Sequence, residues 1–410
     1  MEVISGPVSI KKIFLCQEAW IHFWIKYALR LRWAILYNVV KMLSCRSGLG
    51  YSRYICPGCG ETKKIYHTCK SRFCSSCGKA YADKWSEESL NALLDVSYKH
   101  LFFTIPEELR IWFSYNKKLM PQILFTAVRT ALLKYCKDRN FVPGMIMALH
   151  SFGSALKHNP HIHVIITAGG LSLDNTKWIP QYVILHSVIK PMYQYNFLKL
   201  MSKNFRDGKL NVPKEHRHIK TPETFESYLT QFHRKKWYVG LGESLKEAAS
   251  KVKYIARYTR RPVVAKSKLK NFDEKTVTVV YVDKTTNRKT EKTFTVEEFI
   301  KGLVTHIPEQ NFKIIRNSGI FSNRTKGEKL PLARKALNMP KPTFRENKTT
   351  YRKMYYQAYG IDPLQCPKCK KEMLLYDHNI VPLQDLKSDI NEKHASILSH
   401  FYKAEFAGFP

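Results

Sequence analysis

The spacing of apolar residues along the first third of the chain predicts both helices and strands. In residues 1–45, apolar positions recur at helical intervals beside a basic face. The segment His100–Pro106 (HLFFTIP) is short and apolar and ends at a proline, which predicts a buried strand. Helical spacing returns over Leu119–Cys136. A cysteine-rich segment lies between the first helices and this strand.

Two strand-like runs follow, Gly144–His150 and His161–Thr167. A turn-rich stretch joins them over residues 153–160, so the pair predicts an antiparallel hairpin. The dipeptide Gly169-Gly170 is expected to end the second run.

The second half of the chain begins with a predicted helix and continues as predicted strands. Ser244-Leu-Lys-Glu247 has the form of a capping box, and the helix that it starts must stop before Pro262. Beyond residue 265 the runs VTVVY and KTFTV read as strands around a polar connection. A further helix is predicted to about Val304.

The balance of charge points to a polyanionic partner. Lys and Arg number 68 against 33 Asp and Glu, giving a formal net charge of +35. Residues 251–360 alone hold 26 Lys and Arg against 9 Asp and Glu, about half of that charge. A membrane surface is the rival partner, but the apolar stretch Ala19–Val40 is interrupted by Lys26 and Arg30, so no transmembrane helix is expected. Nucleic acid is the expected partner.

The N-terminus lacks the basic start, apolar core and cleavage site of an export signal. We therefore expect a cytoplasmic protein, in which ten cysteines indicate metal binding and not disulfides.

Two C-x2-C pairs, Cys56/Cys59 and Cys74/Cys77, lie fourteen residues apart, close to the spacing of zinc ribbons. Each pair supplies two thiolates of a tetrahedron, and the segment is too short to form a core without metal. These four cysteines are therefore predicted to bind one structural zinc. Reduced cysteines without metal are the alternative.

Other residues near this segment leave two questions open. Cys45, His67 and Cys69 could form a second zinc site, or be buried free side chains. The segment also carries basic residues, namely Lys63, Lys64, Lys70 and Arg72. These residues suggest that the segment binds DNA, although a solvated basic face without DNA contacts would have the same composition. Cys366 and Cys369 form a further pair that no second pair follows.

A histidine pair marks the second run of the hairpin. His161 and His163 flank Ile162, so on a strand both imidazoles share one face and can chelate one divalent ion. If the hairpin pairs about its midpoint, His150 falls opposite His163 and becomes the third ligand. His158, in the turn, is the second choice. A structural role for the pair is the alternative.

A tyrosine pair marks the predicted helix of KVKYIARYTRRP. Tyr254 and Tyr258 are four residues apart and therefore share one face, off the apolar stripe and near Lys251. Phenols beside cations can approach a phosphodiester, and the cations favour ionisation of the attacking oxygen. Ordinary packing of half-buried tyrosines is the alternative.

The order FFTIP, then H-I-H on a strand, then Y-x3-Y on a helix resembles the HUH endonucleases that initiate rolling-circle replication. Further segments resemble the two-tyrosine transposases of insertion-sequence family ninety-one, over nearly residues 40–370. These segments are HLFFTIPEELR, HSFGSALKHNPHIHVIITAGG, KYIARYTRRP, FKIIRNSGIFSNR and the cysteine block. Relatives often carry glycine after the second cysteine of the C-terminal pair, where this chain has Lys370, which puts a zinc site there in doubt.

The resemblance implies an α+β fold with a central antiparallel sheet flanked by helices. The expected domains are a helical and zinc-binding DNA-binding domain (1–95), an HUH tyrosine nuclease domain (96–265) and a basic β-rich C-terminal region (266–410). His161 and His163 would hold catalytic Mg²⁺ or Mn²⁺, and Tyr254 and Tyr258 would be the nucleophiles. The substrates would be single-stranded DNA at element ends and target DNA, in a bacterial nucleoid-associated protein.

The chemistry implied is a transfer that leaves a free 3' hydroxyl and a 5' phosphotyrosine. No ATP is required, because the covalent link conserves the bond, and the chain has no G-x4-G-K-[ST] loop. No helicase portion is evident, so unwinding would come from a host helicase and the replication machinery. A plasmid replication initiator, a relaxase, a hydrolytic metallonuclease and a zinc-dependent DNA-binding regulator are the alternatives.

Overall fold

Helices form the N-terminal segment of the protein, as the helical spacing of its apolar residues predicts. The computed structural model describes residues 8–71, 73–75, 84, 93–153, 156–181, 183–242, 263–282, 288–340 and 350–406. Its α-helices are Ile10–Leu15 (α1), Ala19–Tyr27 (α2), Trp33–Leu43 (α3), Arg110–Tyr115 (α4), Leu119–Lys137 (α5), His186–Arg206 (α6), Pro222–Thr230 (α7), Val296–Thr305 (α8), Lys326–Ala336 (α9), Tyr351–Tyr359 (α10) and Leu383–Phe406 (α11). Among these described helices, none has the length and apolarity needed to cross a bilayer.

The strands form three antiparallel sheets within the described residues. They are Gly50–Ile55 (β1), Thr62–Tyr66 (β2), Tyr98–Thr104 (β3), Phe141–Phe152 (β4), His158–Ser172 (β5), Trp178–Pro180 (β6), Tyr238–Leu241 (β7), Leu269–Phe272 (β8), Thr276–Val282 (β9), Lys289–Thr295 (β10), Ile315–Gly319 (β11) and Leu374–Ile380 (β12). The largest sheet has the order β11-β4-β5-β3-β7, with β6 paired to β5. The predicted α+β class, with an antiparallel sheet and flanking helices, is confirmed.

The predicted hairpin is confirmed as β4 and β5, but the expectation that Gly169-Gly170 ends the second run is wrong. Strand β5 continues through both glycines to Ser172. A side chain at Gly169 would lie 2.3 Å from the backbone oxygen of Ile179, and one at Gly170 would lie 2.1 Å from that of Val142. The glycines therefore let neighbouring strands approach closely instead of stopping the strand.

The central sheet has a hydrophobic core on each face. On one face, residues such as Ile162 and Val164 of β5 pack in a core shared with α5 and α6. The alternate residue Ile165 belongs to a second core, which includes residues of α9. Because side chains alternate along a strand, His161 and His163 project to the face of Ile165. The histidine pair is thus fixed to a strand that is packed on both sides.

Residues of the predicted C-terminal region (266–410) contribute to several parts of the molecule. Strands β8 to β10 and helix α8 share one core with α1 to α3. Strand β11 is the edge of the central sheet, and β12 pairs with β1. The domain boundaries at residues 95 and 265 stay a prediction.

The third sheet is a small unit formed from both ends of the chain, in the order β12-β1-β2. We call β1, β2, β12 and the turns that carry Cys56, Cys59, Cys366 and Cys369 the ribbon. Its buried core consists of Cys56, Cys366 and Met373, with Tyr54 packed against them. So small a core supplies little hydrophobic stabilisation.

Candidate functional site

Three histidines come together on one face of the β4–β5 hairpin, and we call them the histidine cluster. One ring nitrogen from each of His150, His161 and His163 lies within 4.8 Å of the others. The ring centroids of His150 and His163 are 4.1 Å apart, and those of His161 and His163 are 4.9 Å apart. His150 and His161 are buried and His163 is partly buried. The predicted ligands are thus adjacent in space.

The predicted pairing of His150 with His163 is wrong in register. His150 lies opposite His161, and Ala148 lies opposite His163. The register differs from the prediction by two residues. Because every second side chain of a strand lies on the same face of the sheet, His150 still lies on the predicted face, with His161 and His163. Phe152 lies opposite His158, so the connection between the strands is shorter and lies earlier in the chain than predicted.

The ring of His161 is oriented by a backbone acceptor. Its Nδ1 lies 2.7 Å from the carbonyl oxygen of Asn159. A carbonyl only accepts, so Nδ1–H donates and Nε2 is left unprotonated in the neutral ring. That is the tautomer in which a histidine binds a metal through Nε2.

His100 on β3 contacts the cluster and was missed in the sequence. Its Nε2 lies 2.8 Å from Nδ1 of His163, and the two rings stack with their planes 8° apart. Burial lowers the pKa of His100 to about 4, so this ring is neutral at pH 7. Nε2 of a neutral His100 can accept a hydrogen bond from the Nδ1–H of His163. The sequence does contain one sign of this role, because His100 is a polar residue on the same strand face as Tyr98 and Phe102.

The donor set of the cluster fits a divalent cation. Within the part of the chain that the structure describes, the group consists of imidazoles alone. Neutral imidazole binds divalent transition metals and, with additional oxygen ligands, supports catalytic metal sites. The hydrogen bond from His161 to the backbone and the contact of His163 with His100 hold two rings in fixed orientations.

The predicted nucleophiles Tyr254 and Tyr258, with Lys251, lie outside the described residues. The chain leading to them is described up to Gly242. The Gly242 N–H donates to the carbonyl oxygen of His100 at 2.9 Å. A side chain at Gly242 would lie 2.1 Å from Nδ1 of His100, so only glycine fits there without rearrangement.

Four cysteines from both ends of the chain meet in the ribbon. One sulfur atom from each of Cys56, Cys59, Cys366 and Cys369 lies within 4.8 Å of the others. Sγ of Cys56 is 3.3 Å from that of Cys369, and Sγ of Cys59 is 3.6 Å from that of Cys366. We call these residues the ribbon thiol cluster.

A second group, the three-cysteine cluster, lies beside α3. Cys45, Cys69 and Cys74 are buried, with their sulfur atoms within 4.8 Å of one another. The N–H of Cys69 donates to Sγ of Cys45 at 3.4 Å, and the N–H of Ser71 donates to Sγ of Cys69 at 3.4 Å. Backbone amides directed at sulfur are typical of thiolate sites.

These groupings correct the predicted cysteine sets. Cys56 and Cys59 lie with the C-terminal pair and not with Cys74, because β1 pairs with β12. Cys77 lies outside the described residues. Cys45 and Cys69 come together as predicted, but the third residue is Cys74 and not His67. The imidazole of His67 contacts Ser52 Oγ and the carbonyl oxygen of Leu49, each at 3.1 Å.

Comparison with protein families gives two matches. Residues 15–105 match the family described as "Transposase zinc-binding domain". Residues 144–329 match the family described as "Putative transposase", a range that includes the whole histidine cluster. The predicted N-terminal zinc-binding domain is confirmed, and the cysteine clusters fit zinc.

Two bacterial relatives are similar to this chain over most of their length. The transposase for insertion sequence element IS801 of Pseudomonas savastanoi pv. phaseolicola is 29% identical over 90% of this chain and 89% of its own. A putative transposase, y4qJ, of Sinorhizobium fredii is 28% identical over 81% of this chain and 86% of its own. No solved structure gives a significant match.

Proposed function

Since this chain belongs to the transposases of insertion-sequence family ninety-one, we propose that it nicks and rejoins single-stranded DNA at element ends through a 5' phosphotyrosine intermediate. The observation that carries the proposal is the histidine cluster. Three imidazoles converge on one buried sheet face, within the range that matches a transposase family. Such a group serves as the metal site of a phosphoryl-transfer enzyme.

His150, His161 and His163 would hold the catalytic ion, Mg²⁺ or Mn²⁺ by resemblance to HUH enzymes. When bound, the ion polarises the scissile phosphate and offsets the charge that develops on its oxygens. The histidines position the phosphate against a rigid sheet, since β5 is packed on both faces. His100 orients His163 through the contact between their ring nitrogens.

The reaction exchanges one phosphodiester oxygen for another. The phenol oxygen of a tyrosine forms a bond to phosphorus, and the bond from phosphorus to the 3' oxygen breaks. The phenolic proton leaves, and the 3' oxygen gains a proton to become a free hydroxyl. Attack by that hydroxyl on the phosphotyrosine reverses the exchange and rejoins a strand, so no external energy source is needed.

Tyr254 and Tyr258 are the proposed nucleophiles, and Lys251 the proposed cation that favours the phenolate. The proposal is supported by the chain path, because the segment that carries them follows Gly242, which contacts His100. At positions four apart on the predicted helix, both phenols can reach one phosphate in turn. One tyrosine would hold a 5' end while the other attacks a second strand.

The partners proposed are single-stranded element ends, target DNA, a host helicase and the replication machinery, in the bacterial nucleoid. A net charge of +35 supports attraction to nucleic acid.

The zinc-binding segment is proposed as a DNA-binding surface. There Nζ of the exposed Lys64 lies 4.7 Å from the ring centroid of the partly exposed Tyr51, a pairing suited to contacts with the DNA backbone and bases. In the three-cysteine cluster, the C-x2-C spacing makes Cys77 the proposed fourth zinc ligand.

The experiment is to map the covalent adduct. Wild type, Tyr254→Phe, Tyr258→Phe and the double variant are mixed with Mg²⁺ and labelled single-stranded element ends. We expect adduct peptides containing Tyr254 or Tyr258, reduced but present in each single variant and absent in the double variant. Phe keeps the ring and removes only the hydroxyl, so folding is preserved.

Two outcomes would contradict the proposal. Cleavage without any covalent adduct would indicate a hydrolytic nuclease that uses water. Adducts on one tyrosine, with normal transposition by the other Tyr→Phe variant, would refute the alternation while leaving the tyrosine nuclease intact.

A further inference from the structure

We propose that Cys56, Cys59, Cys366 and Cys369 bind one zinc ion that joins the two ends of the chain into a single zinc ribbon. Cys366 and Cys369 lie far outside the segment that matches a zinc-binding domain. The site is therefore incomplete without residues about 300 positions away in the sequence, since Cys59 and Cys366 are 307 residues apart.

The spacing of the sulfur atoms fits a tetrahedral thiolate site. With Zn–S bonds of about 2.3 Å, the sulfurs of a tetrahedron lie about 3.8 Å apart. The two distances between the pairs, 3.3 Å for Cys56–Cys369 and 3.6 Å for Cys59–Cys366, are close to this value. All four sulfurs lie within 4.8 Å of one another, so the group is compact and not two separate contacts.

The two C-x2-C turns have the same backbone form. The N–H of Cys56 donates to the carbonyl oxygen of Glu61 at 2.8 Å, and the N–H of Gly60 donates to that of Cys56 at 2.9 Å. At the other turn, the N–H of Cys366 donates to Lys371 O at 2.9 Å, and the N–H of Lys370 donates to Cys366 O at 3.1 Å.

Matched left-handed residues complete the likeness of the two turns. The residue after the second cysteine has φ +68° at Gly60 and φ +62° at Lys370. A lysine holds the conformation that glycine adopts in the equivalent turn. The two turns are thus a pair of equivalent zinc knuckles, which is the arrangement of a zinc ribbon.

Contacts around the cluster hold the turns together and supply positive charge. Nζ of Lys368 pairs with Glu61 across the two turns. Nζ of Lys63 donates to the carbonyl oxygen of Pro363 at 2.9 Å, and the side chain of Lys371 lies directly against Gly58. A tetrathiolate zinc site carries two net negative charges, which these cations offset.

The ribbon has little else to stabilise it. Its buried core is three residues, and Leu374 and Tyr376 of β12 are 57% and 64% exposed. A unit of this size depends on bound metal for its fold. Strand pairing of β1 with β12 brings the thiols together, and zinc fixes that pairing.

The experiment counts zinc in the full-length protein by elemental analysis. The double variants C56S/C59S and C366S/C369S should each lose one zinc ion per chain, and the quadruple variant should lose the same single ion. Cys136→Ser, a buried cysteine of α5 outside both clusters, is the control and should keep the wild-type count. An unchanged count in C366S/C369S, or losses that add in the quadruple variant, would overturn the proposal.

A second measurement does not depend on losing the metal. Histidine also binds zinc, so Cys369→His should keep the zinc count while X-ray absorption shows one sulfur ligand replaced by nitrogen. An absorption spectrum identical to wild type would overturn the proposal. A disulfide between the two turns in protein purified under reducing conditions would overturn it as well.

Discussion

The central sheet and the ribbon are both antiparallel, but different forces hold them together. The central sheet has an extensive hydrophobic core on each face, and its histidine cluster lies on strands that this packing holds in place. The ribbon has a buried hydrophobic core of three residues and exposes most of β12. At the proposed sites, a metal bound by the histidines would therefore act on chemistry, whereas a metal bound by the ribbon thiols would act on folding.

The largest expected effect is on catalysis at the central sheet. The double variant His161→Ala/His163→Ala should lower the rate of single-strand cleavage by about 10³-fold or more, because metal assistance contributes several kcal/mol to the transition state. DNA binding should stay within about 2-fold, since it depends on cations elsewhere. A gel assay of labelled DNA with Mg²⁺ measures the rate.

The matched control is His186→Ala, at the exposed start of α6, which should cleave at the wild-type rate. Cleavage retained by the double variant would show that the cluster is structural, and the contrast between the two metal sites would fail.

Removal of zinc should separate the two regions. After treatment with a strong chelator, amides of β1, β2 and β12 should exchange with solvent at least about 100-fold faster, because the metal supplies the folding free energy of so small a unit. Amides in the middle of β4 and β5 should change by less than about 2-fold. Hydrogen exchange with mass spectrometry resolves these peptides. Equal losses in both sheets would mean that they fold as one unit.

The pH dependence of stability should come in part from His158, the first residue of β5. Burial, with smaller contributions from Arg110 and Lys117, lowers the pKa of His158 from 6.5 to about 4. Between these values the unfolded chain binds more protons, so stability falls as pH drops from 7 towards 4.

The test of this sign is His158→Gln, which cannot titrate. The decrease in unfolding free energy between pH 7 and pH 5 should be about 1 to 2 kcal/mol smaller in the variant than in wild type. Urea unfolding at both pH values measures it. Identical decreases would show that His158 is protonated normally in the folded state.

The smallest expected effect concerns the two knuckles of the ribbon. Lys370 has φ +62°, a left-handed conformation that costs a residue with a side chain about 1 kcal/mol. Lys370→Gly should remove that cost and raise zinc affinity about 5-fold in a chelator competition. Gly60→Ala should lower the affinity by a similar factor, because Gly60 has φ +68°, a conformation that is unfavourable for alanine. The space around Gly60 is open, so a steric clash would add nothing to this cost. Equal zinc affinities for both variants and wild type would contradict the inference that Gly60 and Lys370 occupy equivalent left-handed positions in the two knuckles.

The sequence predicts well what local geometry determines. The alternation of His161, Ile162 and His163 fixes the face of both histidines, and the short connection fixes the hairpin. The partner of His150 was not readable, because two registers that differ by two residues present the same face. His100 was missed since it lies on β3, and only the pairing of β3 with β5 brings it to His163.

The cysteine grouping depends on long-range pairing that spacing does not reveal. Cys56/Cys59 and Cys74/Cys77 have suitable separation for one site, but the pairing of β1 with β12 brings Cys366 and Cys369, and not Cys74, to Cys56 and Cys59. Lys370 in place of glycine weakened the case for the C-terminal pair. The structure shows that this lysine adopts the left-handed conformation all the same. A residue other than glycine at this left-handed position costs free energy but does not prevent the turn from forming.

Because Cys59 and Cys366 are 307 residues apart, the ribbon can form only late in synthesis of the chain. A ribosome adding about 5 to 20 residues per second needs roughly 15 to 60 s to travel the 307 residues from Cys59 to Cys366. During that time the first knuckle has no partner. A prematurely terminated chain can carry every residue of the histidine cluster and still lack the strand that closes the ribbon. In such a truncated protein the first knuckle would lack the two cysteines that complete its proposed zinc site.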